Sequence, residues 1–157
     1  MNSNTNVGAS FLLGRLLVGG LYLSAGIQNL LNLEGQTAYA ASKGVPLAGP
    51  AVVIASLLLL VGGSSILTGF RPRLGVLAIA CFLIPVTFLM HGFWHLQGMQ
   101  RVAETYRFLG NLGLLGSALL FLAIPRPWSF GLDDAAALGG ALRNRLDRPG
   151  RRPASAG

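Results

Sequence analysis

Residues 47–68 read LAGPAVVIASLLLLVGGSSILT, a run with no charged side chain. A helix rises about 1.5 Å per residue, so roughly 20 apolar residues cross a bilayer core of about 30 Å. This run is therefore a membrane span. Outward from it lie three more runs of similar character: Leu74 to Trp94, Phe11 to Leu31 and Phe108 to Pro125. Short polar or charged breaks separate them. The expected fold class is all-α, an integral membrane four-helix bundle.

Composition agrees. Charged residues make up 11% of the 157-residue chain, against about 25% in soluble domains. The formal charge of +7 does not point to nucleic acid, because six of the twelve basic residues follow the last span: Arg126, Arg143, Arg145, Arg148, Arg151 and Arg152. Basic flanks on a membrane protein first of all set topology. With four spans, the N-terminus, the turn holding Arg71 and Arg73 and the tail share one side. The other side holds Lys43, Arg101 and Arg107 with Glu34 and Glu104. The basic excess places both termini in the cytoplasm. Arg15 is expected to snorkel to that same side. The expected partners are the lipid bilayer and, left open, a second copy of the chain.

Three segments follow: a polar N-terminus over 1–9, a four-span domain over 10–126 and a basic tail over 127–157. The N-terminus lacks a basic n-region, so the first span reads as uncleaved. Gly35, Gly44 and Pro46 suit residues 32–46 to a loop or short re-entrant turn. Gly69-Phe70-Arg71-Pro72-Arg73 reads as a tight turn, with Gly closing one helix and Pro opening the next. Pro85 should kink the third span. Trp128 and Phe130 fall where interfacial aromatics are favoured. In the tail, Asp133 and the four-residue spacing of Leu138, Leu142 and Leu146 allow one short amphipathic helix with a basic face. Glycine and serine are dense in the second span, at 62–65, and in the fourth, at 110, 113, 116 and 117, which favours close helix approach.

Cys81 is the sole cysteine, so neither an internal disulfide nor a C-x-x-C redox pair is available. The informative residues are the polar ones inside the spans, because ionisable groups in a bilayer usually face the bundle interior or a wet cavity. Arg15, Tyr22, Gly26 and Asn29 share one face of the first helix, with Gln28 beside them. They read either as one wall of a polar pocket, with Gly26 leaving space, or as a snorkelling arginine plus headgroup-level amides. Thr87, His91 and His95 fall four apart at the end of the third span. A histidine pair at that spacing can share a metal, but the carboxylates of a di-iron bundle are lacking, so no metal is assigned. Glu104, Arg107 and Asn111 align at the start of the fourth. Alternating helix directions bring these residues to the outer side with Gln28 and Asn29, while Arg15 lies toward the opposite end. The cluster is a candidate ligand site, or a set of ties between helices. No nucleophile, base and acid come together, so no catalytic residue is assigned and the chain does not read as a stand-alone enzyme.

Four stretches carry a resemblance to the DoxX family of small four-span bacterial inner-membrane proteins. They are Arg15 with Leu23-Ser24-Ala25-Gly26-Ile27-Gln28-Asn29-Leu30, then Gly44-Val45-Pro46. Next come Leu67-Thr68-Gly69-Phe70-Arg71 leading to His91-Gly92-Phe93-Trp94, and Phe108-Leu109-Gly110-Asn111-Leu112-Gly113-Leu114-Leu115-Gly116. Three charges usual in the family are replaced: a lysine by Asn29, a lysine by Gly110, and a second-span glutamate that residues 51–67 do not supply. The resemblance implies an inner-membrane location and a subunit or accessory role in a redox system. It also implies quinone as the ligand to consider and membrane or cytoplasmic redox proteins as partners. A small-molecule transporter and a membrane scaffold whose tail recruits a partner are the alternatives.

Overall fold

The computed structural model describes residues 3–126, 128, 130–132, 138–140 and 143–144. Five α-helices account for most of it: α1 (Ser3–Leu31), α2 (Leu33–Ser42), α3 (Ala48–Thr68), α4 (Pro72–Met90) and α5 (Gly98–Leu120), with a 3₁₀ turn over Phe121–Ala123. Four stretches are long and apolar enough to cross a membrane: Gly8–Leu31, Ala48–Thr68, Pro72–Met90 and Gly98–Ala123. The four-span bundle expected from the sequence is present, and no strand occurs among the described residues.

The spans run alternately up and down. Gly19 of α1 faces Gly63 and Leu67 of α3, whereas Gly26 faces Ser56 and Leu59, so α1 and α3 are antiparallel. Gly62 and Ser65 of α3 meet Ile79 and Gly75 of α4 in the same sense. Phe88 of α4 stacks edge-on against Phe108 of α5. Tyr22 of α1 donates to the Leu114 carbonyl of α5 at 2.8 Å, and Phe11 lies 6.0 Å from Phe121. The order around the bundle is therefore α1, α3, α4, α5, closing back on α1. Its buried core includes Tyr22, Leu59, Ile66, Ile79, Leu83 and Ala118.

The close packing is uneven. A Cβ on Gly63 would lie 2.6 Å from the Leu23 nitrogen, and one on Gly62 2.5 Å from Ile79 Cγ1. Small residues there let three backbones approach. Gly110, Gly113 and Gly116 of α5 have nothing within 4 Å of such an atom, so the expectation of close approach holds for α3 and fails for α5.

Other expectations need correction. Residues 33–42 form α2, not a loop. Three alanines favour the helix, and Gly35 does not break it, since a Cβ there would meet the Asn32 side chain at 2.6 Å. Gly44, at φ 77°, closes that end. The third span stops at Met90, with His91 as its cap at φ −121°, and Phe93 and Trp94 turn back onto Phe108. The fourth begins ten residues earlier than its apolar run suggests. The 69–73 turn is as expected: Gly69 has φ 68° and Pro72 opens α4. Trp128 is buried between Phe11 and Phe121 instead of lying at an interface, whereas Phe130 is exposed. The tail helix through Asp133, Leu142 and Leu146 lies outside the described residues.

Candidate functional site

At the end of the bundle that carries α2, Glu104 is 6% exposed and gathers three partners. Lys43 Nζ lies 2.8 Å from Oε1, Arg107 Nη1 lies 3.0 Å from the same oxygen, and His91 Nδ1 lies 2.9 Å from Oε2. The partners come from three places: the cap of α2, the cap of α4 and one turn further along α5. Two cations held by one carboxylate leave this cluster with an excess positive charge. The hydrogen bond to Glu104 raises the pKa of Lys43 above its ordinary value, against a smaller opposing effect of burial. Lys43 is therefore the cationic member that ties α2 to α5.

Beside this cluster is a cavity of about 480 Å³. Its walls are largely apolar and come from α2, α3 and α4, including Ile54, Leu58, Phe82 and Leu89. Its polar lining comprises Asn29, Gln36, Tyr39, His91 and Asn111. Pro85 and Cys81 also line it. Proline has no N–H to give the carbonyl four residues back, which here is the Cys81 carbonyl on the same wall. Asn111 Nδ2 is buried and has no hydrogen-bond partner. Buried amide donors are nearly always paired, so this one is an exception within a residue that lines the cavity.

The residues singled out by sequence divide accordingly. His91, Glu104, Arg107, Asn29 and Asn111 come together at this end. His95 and Gln28 are exposed and take no part. The equal spacing of His91 and His95 carries no meaning, because the helix has ended before either. Tyr22 is buried in the core and ties α1 to α5. Gly26 leaves no pocket space, since α3 fills it: a Cβ would sit 3.0 Å from the Ser56 carbonyl.

Arg15 is at the opposite end and does not snorkel. It is 0% exposed, donating from Nε to the Ile66 carbonyl at 3.1 Å and from Nη2 to the Leu67 carbonyl at 2.8 Å. Its guanidinium lies 5.4 Å from the Trp128 ring and 5.8 Å from Phe11. The last carbonyls of α3 have no donor within their own helix, and a cation suits the negative end of the helix dipole. Those two needs hold Arg15 inside.

Lys43, Gln36 and Tyr39 were not singled out from sequence. The alanines of residues 38–41 were the available signal: once that stretch is a helix, Lys43 becomes its cap and not a loop charge.

The DoxX family profile matches residues 10–92. It covers three of the spans and ends just past His91. The chain is 31% identical over 122 residues to inner membrane protein YqjF of Escherichia coli K12, which takes in 78% of this chain and 88% of that protein. It is 25% identical over 122 residues to inner membrane protein YphA of the same organism, covering 78% and 86%. No solved structure matches it significantly.

Proposed function

The chain belongs to the DoxX family, and from that premise we propose that this multi-pass inner-membrane protein is a membrane subunit or accessory protein of a quinone-linked redox system, with the cavity as its ligand site. The observation that carries the reading is the cavity itself. Its volume falls in the range of small-molecule sites, about 300–1,000 Å³. Its apolar walls suit a lipid-soluble body, and its polar lining offers side chains that fit an oxygenated head: Gln36 and Tyr39 of α2, and His91, already oriented by Glu104.

The chain's part is to bind and orient. The paired charges of Glu104, Lys43 and Arg107 close the outer end of the helices without leaving a bare ion near the bilayer. No residue supplies electrons in this reading, so a partner protein does, as membrane or cytoplasmic subunit. The end with Arg71, Arg73 and Arg126 faces the cytoplasm by charge, which puts the cavity at the outer leaflet.

The test is direct. Protein purified in detergent is extracted and analysed by mass spectrometry, then titrated with a short-chain quinone. We expect co-purified quinone and saturable binding at one site per chain. Absence of both would refute the reading.

A further inference from the structure

At the end of the bundle opposite Glu104, the start of α4 and the chain leaving α5 enclose a second cavity of about 290 Å³. Pro72 and Arg73 line one side of it and residues 121–126 the other. Its surface is mainly polar, and the only polar side chains in its lining are those of Arg73 and Arg126. Both arginines are exposed. Among the described residues, neither guanidinium has a hydrogen-bond, ion-pair or aromatic partner. Arg71 is engaged elsewhere, with its guanidinium 5.4 Å from the Phe70 ring. Of the described carboxylates, Glu104 is at the other end with three partners of its own, and Glu34 is there too, on α2.

Two cations that line one cleft repel each other, and an anion between them removes that cost. Guanidinium suits phosphate best, because its planar fork matches two phosphate oxygens. The volume narrows the choice further. It is just under the roughly 300–1,000 Å³ of sites that enclose a whole drug-sized ligand, so the cleft holds a head and not a tail. Leu122 and Ile124 of the cleft are exposed, as is Leu77, one turn further along α4 from Arg73. Acyl chains can lie on these side chains where the spans meet the bilayer.

We propose that this cleft is a binding site for the phosphate of an anionic glycerophospholipid, with Arg73 and Arg126 as its ligands. Basic pockets between spans recognise acidic lipid heads in this way. Phosphatidylglycerol fits, because its head adds no positive charge. Phosphatidylcholine does not, because its ammonium brings a third cation to the pair. The site is at the far end from the cavity beside Glu104, and it stands whatever that cavity holds.

Dioctanoyl phosphatidylglycerol, dioctanoyl phosphatidylcholine and glycerol 3-phosphate are the probes. Each is titrated into the purified full-length protein in a neutral detergent, and bound lipid is counted by native mass spectrometry. We expect phosphatidylglycerol to bind about tenfold more tightly than phosphatidylcholine. Arg73→Gln with Arg126→Gln should abolish that preference, and either change alone should remove part of it. Both side chains are exposed, so the double variant should keep its melting temperature. Arg101→Gln removes an exposed charge at the other end of the bundle and should keep the preference. Equal affinity for the two lipids in the unaltered protein overturns the proposal, as does a preference that survives in the double variant. If Arg101→Gln erases the preference as fully, overall charge and not the cleft is responsible, and the proposal falls. If glycerol 3-phosphate binds as tightly as phosphatidylglycerol, the lipid is overturned as the source of the phosphate.

Discussion

At Arg15 a cation that is unfavourable to bury becomes part of the scaffold. Its two hydrogen bonds to the Ile66 and Leu67 carbonyls complete the end of α3 from a residue some fifty positions away in sequence. Gly69 is required beside it, because a Cβ there would approach Nη2 to 2.8 Å. Arg15→Ala should lower stability by about 3 kcal/mol, as two charge-assisted bonds and buried stem packing are lost. Arg15→Lys should recover only part, since an ammonium lacks the planar fork that reaches two carbonyls. Thermal unfolding in detergent measures both. Quinone affinity should be unchanged in each, because Arg15 is at the far end from the cavity. Arg15 stands out as a charge inside an apolar run, but its role is hidden there: a snorkelling arginine and a buried capping arginine look identical along the chain. Glu104 poses the same difficulty. Its pairing with Arg107 was readable from i,i+3 spacing, whereas its contact with Lys43 joins residues that only the fold brings together.

Among the elements, α3 is the hub, packed on α1, α2 and α4. Its small residues permit this, and the contrast with α5 gives a paired expectation. Gly63→Ala forces a Cβ to within 2.6 Å of the α1 backbone and should destabilise the bundle by about 3 kcal/mol. Gly113→Ala, with open space around it, should be neutral to slightly stabilising, because alanine is the better helix former. Comparing the two melting temperatures checks the assignment, and equal effects would contradict it. The spans and the 69–73 turn were legible because hydropathy and Gly/Pro chemistry are local signals. α2 was not, because Gly35, Gly44 and Pro46 outweighed the helix propensity of its alanines in a local reading. Only the side chain of Asn32, lying over Gly35, shows why that glycine belongs inside a helix.

At the scale of the whole molecule, the bundle has two unlike ends. One carries Arg71, Arg73 and Arg126 near the buried Arg15. The other carries α2, the Glu104 cluster and the cavity. Even-numbered spans put both termini on one side, and we propose from the basic residues there that this side is cytoplasmic. A green fluorescent protein fused after residue 157 should fluoresce in the bacterial host, and an alkaline phosphatase fused there should be inactive. The reverse pattern would turn the molecule over and place the cavity at the inner leaflet.

The chamber between α2, α3 and α4 is proposed to hold a lipid-soluble ligand. Ala55 lies in its wall and has no polar side-chain atom, so Ala55→Phe adds bulk there without removing a polar group. Equilibrium titration of decylubiquinone into both proteins, with melting temperatures measured alongside, is the most direct measurement. We expect saturable binding to the unaltered chain and at least about a tenfold loss in the filled variant. Equal affinity in two equally stable proteins, or no saturable binding to the unaltered one, would contradict the claim.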